Sequence, residues 1–475
     1  MRMAGAQRFD GTYVSGSPGE NSGVWGRLHL SWSFSLAGKL AGAAVRANDD
    51  SPVSFSGKGI DRFVMDWYYL IAWAAILAQS LFIYYAVRNY RYVAAKSARN
   101  TRSLYQPRTA LIIPCRGLDA RFHANMRSFF KQDYDDYRLF FVVGEESDPA
   151  YGELRALQQE LGRDACASDV RVLVAGPSRS CSQKIHNLLY GVRHVPDDIE
   201  VLAFADSDVC VHNDWLSRLV WPLRRAKCGV ATGYRWFVPT RNNPASLALS
   251  AMNAAVAQFL GNSPFNQAWG GSMAVRREDF RRLGIAETWS NTVSDDLSLS
   301  RAVKRAGMRV IFVPECLVPS FESSTWPRLC EFARRQFLIT RVYTPRTWWL
   351  GSLSSFGSVA GLWGGGAWAV HVAAAHAEHV LFYATVPILF FAGQLIRAVL
   401  RQLTAARVLK EYLPQLMPAA VADILGCWLW SLVLFACLLS SAFGRTIRWR
   451  GIRYKLLGPT KTVVLDAATN VSSGS

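Results

Sequence analysis

Val201-Leu202-Ala203-Phe204-Ala205-Asp206-Ser207-Asp208 is the stretch that decides the fold of this chain. A short apolar run of strand length breaks directly into two carboxylates set two residues apart. An uninterrupted apolar run, rather than an alternating one, reads as a strand buried on both faces of a parallel sheet. Ligands of such sheets gather beyond the carboxyl ends of the strands, and Asp206 and Asp208 fall at such an end.

Working outward, Leu111-Ile112-Ile113-Pro114, Leu139-Phe140-Phe141-Val142-Val143 and Val170-Arg171-Val172-Leu173-Val174 repeat the strand-length pattern. Helix-like segments at about 121–131, 150–162 and 184–194 lie between these runs and the first. Strands alternating with helices predict an α/β fold, a Rossmann-like and mostly parallel sheet covered on both faces.

The chemistry follows from residue type. A Mg²⁺ or Mn²⁺ ion takes hard oxygen ligands, often only one or two carboxylates, and leaves positions for phosphate oxygens. Asp206 and Asp208 suit that role, and paired acids kept for loop solubility are the plainer alternative. Asp295-Asp296 precede Leu297-Ser298-Leu299-Ser300-Arg301-Ala302-Val303, which has helical apolar spacing. Acids at a helix start serve as caps; one of this pair is equally suited to accept a hydroxyl proton while the other orients it. Trp269-Gly270-Gly271-Ser272 combines an aromatic with glycines that let backbone approach a ligand, or simply forms a turn. Lys184 and Asn187 offer a cation and an amide at a helix start, or a solvated face.

Apolar segments flank this region. The chain has 475 residues, is 51% hydrophobic and carries a net charge of +18. Its basic residues cluster beside apolar segments rather than in one tract, which argues for membrane faces and anionic substrates over nucleic acid. Nine scattered cysteines include no C-x-x-C pair, so neither a zinc site nor a disulfide framework is expected. Residues 1–62, rich in Gly, Ser and Ala, read as a poorly ordered leader. Residues 63–87 form an apolar run long enough to span a bilayer, with Trp67, Tyr68, Tyr84 and Tyr85 at its ends. Arg88, Arg91 and Lys96 follow at once and place residues 88–345 in the cytosol. Residues 346–445 hold further apolar runs at 348–372, 379–396 and 420–443, with an amphipathic segment near 397–418. If all three crossed, the basic tail 446–475 would lie outside, so one is expected to be re-entrant, the Gly-rich 351–368 first among them.

Taken in order, these residues resemble the ceramide glucosyltransferase family, a membrane branch of the inverting, metal-dependent glycosyltransferases with the GT-A fold. Arg116-Gly117-Leu118-Asp119 is similar to the first motif of the family, and Phe129-Phe130-Lys131-Gln132-Asp133-Tyr134 continues the match. Lys184-Ile185-His186-Asn187-Leu188 resembles its lysine-asparagine segment, Asp206-Ser207-Asp208 its metal motif and Gly271-Ser272-Met273 its acceptor-side turn. Asp296 falls where the family carries its base. One departure stands out. The family usually closes its catalytic region with Gln or Arg, two residues, then Arg-Trp; here Arg335-Gln336-Phe337-Leu338-Ile339 occupies that place.

The resemblance implies a multi-pass integral membrane protein, of a bacterial inner membrane or a Golgi- or ER-type membrane, with a cytosolic catalytic domain. It implies transfer of a hexose, glucose from UDP-glucose first, to the primary hydroxyl of a ceramide-like lipid. Asp119, Lys184, Arg335 and Arg341 would bind the donor, and Asp206 and Asp208 would hold Mn²⁺ or Mg²⁺. Asp296 with Asp295 would act on the acceptor proton, and Trp269, Gly270, Gly271 and Ser272 would lie on the acceptor side. A polyprenyl-phosphate glycosyltransferase, a processive polysaccharide synthase and an inactive scaffold are the rival readings. The missing Arg-Trp weighs against the synthase.

Overall fold

The computed structural model describes residues 57–97, 105–119, 121–162, 164–375 and 380–465. The chain divides into two units, Met1–Asp66 and Trp67–Ser475. Only helical backbone from Gly57 onward is described in the first, so most of the expected leader 1–62 lies outside the described residues.

A seven-stranded sheet organises the second unit. Its strands are β1 (Thr109–Pro114), β2 (Tyr137–Val143), β3 (Asp169–Val174), β4 (Val201–Ala205), β5 (Cys228–Pro239), β6 (Ser272–Arg276) and β7 (Arg309–Glu322). They lie in the order β3-β2-β1-β4-β6-β5-β7. All neighbours are parallel except β6, which runs antiparallel to both β4 and β5. The first four strands are the four apolar runs of the sequence, extended by a residue or two. Their side chains enter two cores, one on each face. Leu111, Phe141, Ala203 and Trp215 lie in the first, and Ile112, Phe140, Phe204 and Trp289 in the second. That two-sided burial is why these strands are apolar throughout rather than alternating.

Helices Phe122–Phe130, Pro149–Leu161 and Gln183–Arg193 connect the parallel strands. Two begin with side-chain caps: Asp148 accepts from the Ala150 N–H, and Ser182 from the Ile185 N–H. The β1-to-β4 crossovers bring the ends of β1 and β4 side by side, with Ile112 paired to Phe204. The segments following those two strands therefore face one cleft.

Among the described residues, two helices are long and apolar enough to cross a membrane, Tyr68–Ser97 and Val380–Val408. Their outward side chains are apolar: Leu77 is 73% exposed and Leu381 is 86% exposed. The first helix is tied to the sheet domain near its C-terminal end, where Tyr92 donates to the Phe312 carbonyl at 2.8 Å and Asn89 to that of Gln258 at 3.0 Å. The sharp bend among the apolar helices differs from expectation. The Gly-rich stretch is helical from Pro345 through a π-turn at Ala360–Gly364 to Ala374. The break falls instead at Gly426, where the helix ending at Leu425 meets Cys427–Ser440 at 87°. Arg401 and Asp423 form a bidentate buried pair, 2.5 and 2.6 Å, that fastens this elbow to the Val380–Val408 helix.

The basic tail also carries structure. Strands β8 (Thr446–Trp449), β9 (Ile452–Gly458) and β10 (Lys461–Val464) form an antiparallel sheet. Ile447, Ile452, Tyr454 and Leu456 pack against Leu338, Ile339 and Tyr343 of the helix Trp326–Tyr343.

Candidate active site

A cleft of about 300 Å³ opens where β1 and β4 end. The β4 strand delivers Asp206 and Asp208 into it, and Lys184, from the first turn of the helix Gln183–Arg193, meets them. The Lys184 amine lies 2.7 Å from Asp206 Oδ1 and 3.1 Å from Asp295 Oδ2. Burial lowers the lysine pKa, but the three nearby carboxylates Asp206, Asp295 and Asp296 outweigh it and hold the amine charged. Burial likewise raises the pKa of Asp206, and Lys184 more than reverses that, leaving it below the usual carboxylate range.

Asp208 behaves differently. Burial pushes its pKa up against the pull of Arg235, 3.4 Å away on β5, and the negative charges of Asp206 and Asp119 add to the rise. Asp208 Oδ1 is buried with no hydrogen-bond partner among the described residues. A buried, unpartnered carboxylate oxygen is costly unless a ligand completes it. Beside a second carboxylate, it is a hard oxygen donor of the kind Mn²⁺ or Mg²⁺ takes. Among the described residues no group of three or more His, Cys, Asp or Glu side chains gathers into a metal site. Two protein carboxylates completed by phosphate and water oxygens fit the donor set present here.

Asp119 stands beside this pair. It accepts from the Ser207 hydroxyl at 3.3 Å and pairs with Arg450 at 3.4 Å. The first motif after β1 and the acidic motif after β4 are therefore joined by a side-chain bond, as neighbouring parallel strands require.

Asp295 and Asp296 open the helix Asp295–Arg305, and Ser294 is its side-chain cap. The two acids divide sharply. Asp295 is buried, and burial, partly opposed by Lys184, raises its pKa to about 6. Asp296 accepts the Ser294 hydroxyl at 2.5 Å and the Leu297 N–H at 2.7 Å on one oxygen, and the Gly270 N–H at 3.2 Å on the other. A side chain at Gly270 would displace the Lys184–Asp295 pair. A Cβ there would lie 2.2 Å from Asp295 Oδ2 and 2.7 Å from the Lys184 amine. The Trp269-Gly270 turn thus packs directly on the acidic pair. Trp269 is buried under the Arg235 guanidinium, 5.4 Å from its ring centroid. Ser272 is fully buried on β6, where its hydroxyl accepts from Trp215, and it does not line the cleft.

The helix Trp326–Tyr343 forms another wall. Arg328, Phe332, Arg335 and Gln336 line the cleft at helical spacing. Leu338 and Ile339, which stand in place of Arg-Trp in the sequence comparison, point into the core against the β8–β9 sheet. Arg335 is held beside Phe332 and Trp449, with its guanidinium 5.3 and 5.7 Å from the two rings. Burial first, and then repulsion from Arg235, bring its pKa down to about 10. Arg341 does not join the site; it donates to the carbonyls of Ala442 and Gly444. Lys184, Asp206, Asp208 and Arg335 line the cleft, whereas Asp119, Asp295, Asp296 and Gly270 lie outside its lining; Asp119 is joined to it through Ser207, Asp295 through Lys184, and Asp296 bonds to Gly270 beside them.

Other cleft residues carried no readable signal in the sequence. Arg235 lies in a strand interrupted by a register shift between Thr232 and Tyr234, and Glu322 at the end of β7. Trp449, Arg450 and Tyr454 come from the basic tail. An Arg-Gly pair between two short strand-like runs is a weak hairpin signal, and net charge alone concealed it.

A family model described as glycosyl transferase family 21 matches residues 70–462. The chain belongs to that family. It is a glycosyltransferase, with a mixed α/β domain built on a mostly parallel seven-stranded sheet and helices apolar enough to cross a membrane. Among solved structures, this family 21 chain is similar to a mannosyltransferase from Pyrobaculum calidifontis in complex with GDP-Man and Mn²⁺. That match has 16% identity and a TM-score of 0.40, and covers 78% of this chain and 97% of the other. It is also similar to GalNAc-T7 with UDP, GalNAc and Mn²⁺, at 11% identity and a TM-score of 0.34, covering 53% of this chain and 51% of that one.

Proposed function

We propose that this family 21 enzyme transfers one hexose, glucose from UDP-glucose, to the primary hydroxyl of a ceramide-like lipid, inverting the anomeric centre. One observation carries the reading: a single cleft joins a carboxylate and arginine wall to an apolar wall that continues into the membrane helices. Phe237, Leu249 and Phe332 line the cleft. They belong to the same cluster as Trp430, Val433 and Cys437 of the apolar helix Cys427–Ser440. Such a lining suits an acceptor with a polar headgroup and a lipid chain, which would reach it without leaving the bilayer.

In this mechanism Asp296 receives the proton of the attacking hydroxyl, oriented by its bonds to Gly270, Ser294 and Leu297. Asp119 binds the nucleotide, and Lys184 keeps Asp206 and Asp295 in place around the donor. Arg335 stabilises the negative charge of the departing diphosphate. Asp206 and Asp208 hold Mn²⁺ or Mg²⁺, which when bound offsets charge on that diphosphate. The basic residues Arg88, Arg91 and Lys96, which follow the apolar part of the first helix, support a cytosolic catalytic domain.

A second reading has an observation of its own. Arg116, Arg235, Arg328, Arg335 and Arg450 all line the cleft, more cations than one diphosphate needs. That excess suits a phosphate-bearing acceptor such as a polyprenyl phosphate. The test is incubation of purified protein with radiolabelled UDP-sugars and either ceramide or polyprenyl phosphate, with products identified by mass spectrometry. A glycosylceramide is expected. A product on the phosphate lipid alone would replace the first reading with the second, and no lipid product from any donor would overturn both.

A further inference from the structure

The turn between β8 and β9 is built against local preference. Trp449 pairs with Ile452, so the loop is only Arg450 and Gly451. Both have positive φ, 45° and 85°. Two-residue hairpins with positive φ at both positions favour Asn, Asp or Gly at the first. Arg450 is the one non-glycine residue with positive φ among the described residues. Such strain persists where surrounding structure imposes it, and it concentrates at ligand clamps.

The side chain shows what is gained. Arg450 Nη1 donates to the Arg116 carbonyl at 2.6 Å, and Nη2 lies 3.4 Å from Asp119 Oδ1. The tail thereby touches the segment after β1, hundreds of residues earlier, at the position read as nucleotide-binding. The guanidinium fork retains further N–H donors, and it lines the cleft together with Arg116. Two more contacts brace the hairpin around the same opening. Trp449 stacks near Arg335, and the Tyr454 hydroxyl accepts from the Gln183 N–H at 3.4 Å. A purely mechanical tack would need a contact at any surface point; this hairpin instead puts an arginine, a tryptophan and a tyrosine on the walls of one cleft.

We propose that the β8–β9 hairpin is a donor clamp in which Arg450 is a ligand for the diphosphate of the nucleotide sugar. Asp119 presents the fork, and the bound diphosphate fastens the hairpin over the cleft. The inference rests on the proposed use of a nucleoside-diphosphate sugar.

Binding of UDP, GDP, and the corresponding monophosphate and nucleoside to the purified full-length protein tests it by calorimetry. For whichever diphosphate the wild type binds, Arg450→Ala is expected to weaken affinity about tenfold or more, as loss of a charge-assisted contact does. Affinity for the nucleoside should change less than about twofold. Arg450→Gln, which keeps a polar side chain, should behave as Arg450→Ala and serves if the latter fails to fold. Equal losses for diphosphate and nucleoside, or no loss for either, overturn the clamp while leaving the glycosyltransferase reading intact. A wild type that binds neither diphosphate overturns both.

Discussion

The amine of Lys184 sits 2.7 Å from Asp206 Oδ1, and so ties the acidic end of β4 to the first turn of the helix Gln183–Arg193, which leads into that strand. The same amine is 3.1 Å from Asp295. One cation therefore neutralises acids from two motifs nearly ninety positions apart in sequence. Without it, Asp206 and Asp295 would face each other across a largely buried space.

Lys184→Met is accordingly expected to destabilise the catalytic domain by about 3 kcal/mol, the cost of leaving buried carboxylates without their partner. Adding Asp295→Asn should recover part of that loss, since it removes one orphaned charge. Denaturant unfolding of the wild type, the two single variants and the double variant measures the coupling. Strict additivity would show that the amine and Asp295 do not interact.

Asp208 has a buried oxygen that accepts no hydrogen bond from any of the described residues. A chelator is expected to abolish transfer, and Mn²⁺ to restore it. Asp208→Ala should fall by about a hundredfold or more in turnover, the scale of losing an electrostatic stabiliser of the leaving group. Added Mn²⁺ should not restore this variant. Activity assayed in excess chelator and across a Mn²⁺ titration checks both statements; full activity in chelator would remove the metal role.

Much of this arrangement was readable before folding was known, and the reason is parallel-sheet physics. Strands buried on both faces must be apolar, so Leu111–Pro114 and Val201–Phe204 announced themselves, and ligands collect where such strands end. Asp206 and Asp208 fall at such an end, whereas Asp119 is placed with them in the sequence only by the resemblance of its motif to the family's first motif. Lys184 and Asp296 had strong alternative explanations as a solvated face and a cap. The Lys184–Asp295 ion pair, with Gly270 packed against both, brings those two segments to one place. Arg235 and Arg450 were hidden for different reasons. Arg235 projects from a strand with an irregular register, and Arg450 reaches the site through contacts of very long sequence separation. The helix Trp326–Tyr343 illustrates the limit of motif spacing. Arg335 lines the cleft while Leu338 and Ile339, three and four positions on, serve the core.

Asp296 is anchored by hydrogen bonds to both carboxylate oxygens. Asp296→Asn is expected to reduce kcat by about 10²- to 10⁴-fold, the range for loss of a general base. Donor affinity should be unchanged. The amide places an NH₂ group against one of three donors, so a stability loss of about 1 kcal/mol is also expected. Steady-state kinetics with calorimetric UDP binding separates the effects; loss of UDP affinity in parallel with kcat would move Asp296 to the donor side.

Asp295 supplies a pH test whose sign is fixed by burial. Its folded pKa is raised to about 6, whereas an unfolded aspartate titrates near ~4. Between those values the folded protein holds the proton more tightly. By linkage, the contribution of this group to stability is fully present below the lower pKa and is lost as pH rises through the upper one. Asp295→Asn resembles the protonated form at every pH. Relative to wild type, the variant should therefore gain stability as pH rises from about 4 to 7, by roughly 1–3 kcal/mol, with little further change above that. Unfolding midpoints of the two proteins across this range measure the difference, which cancels the titration of all other acids. A difference of opposite sign would mean that the attraction of Lys184 exceeds the cost of burial, so that Asp295 is an ionised partner in the folded state even in mild acid.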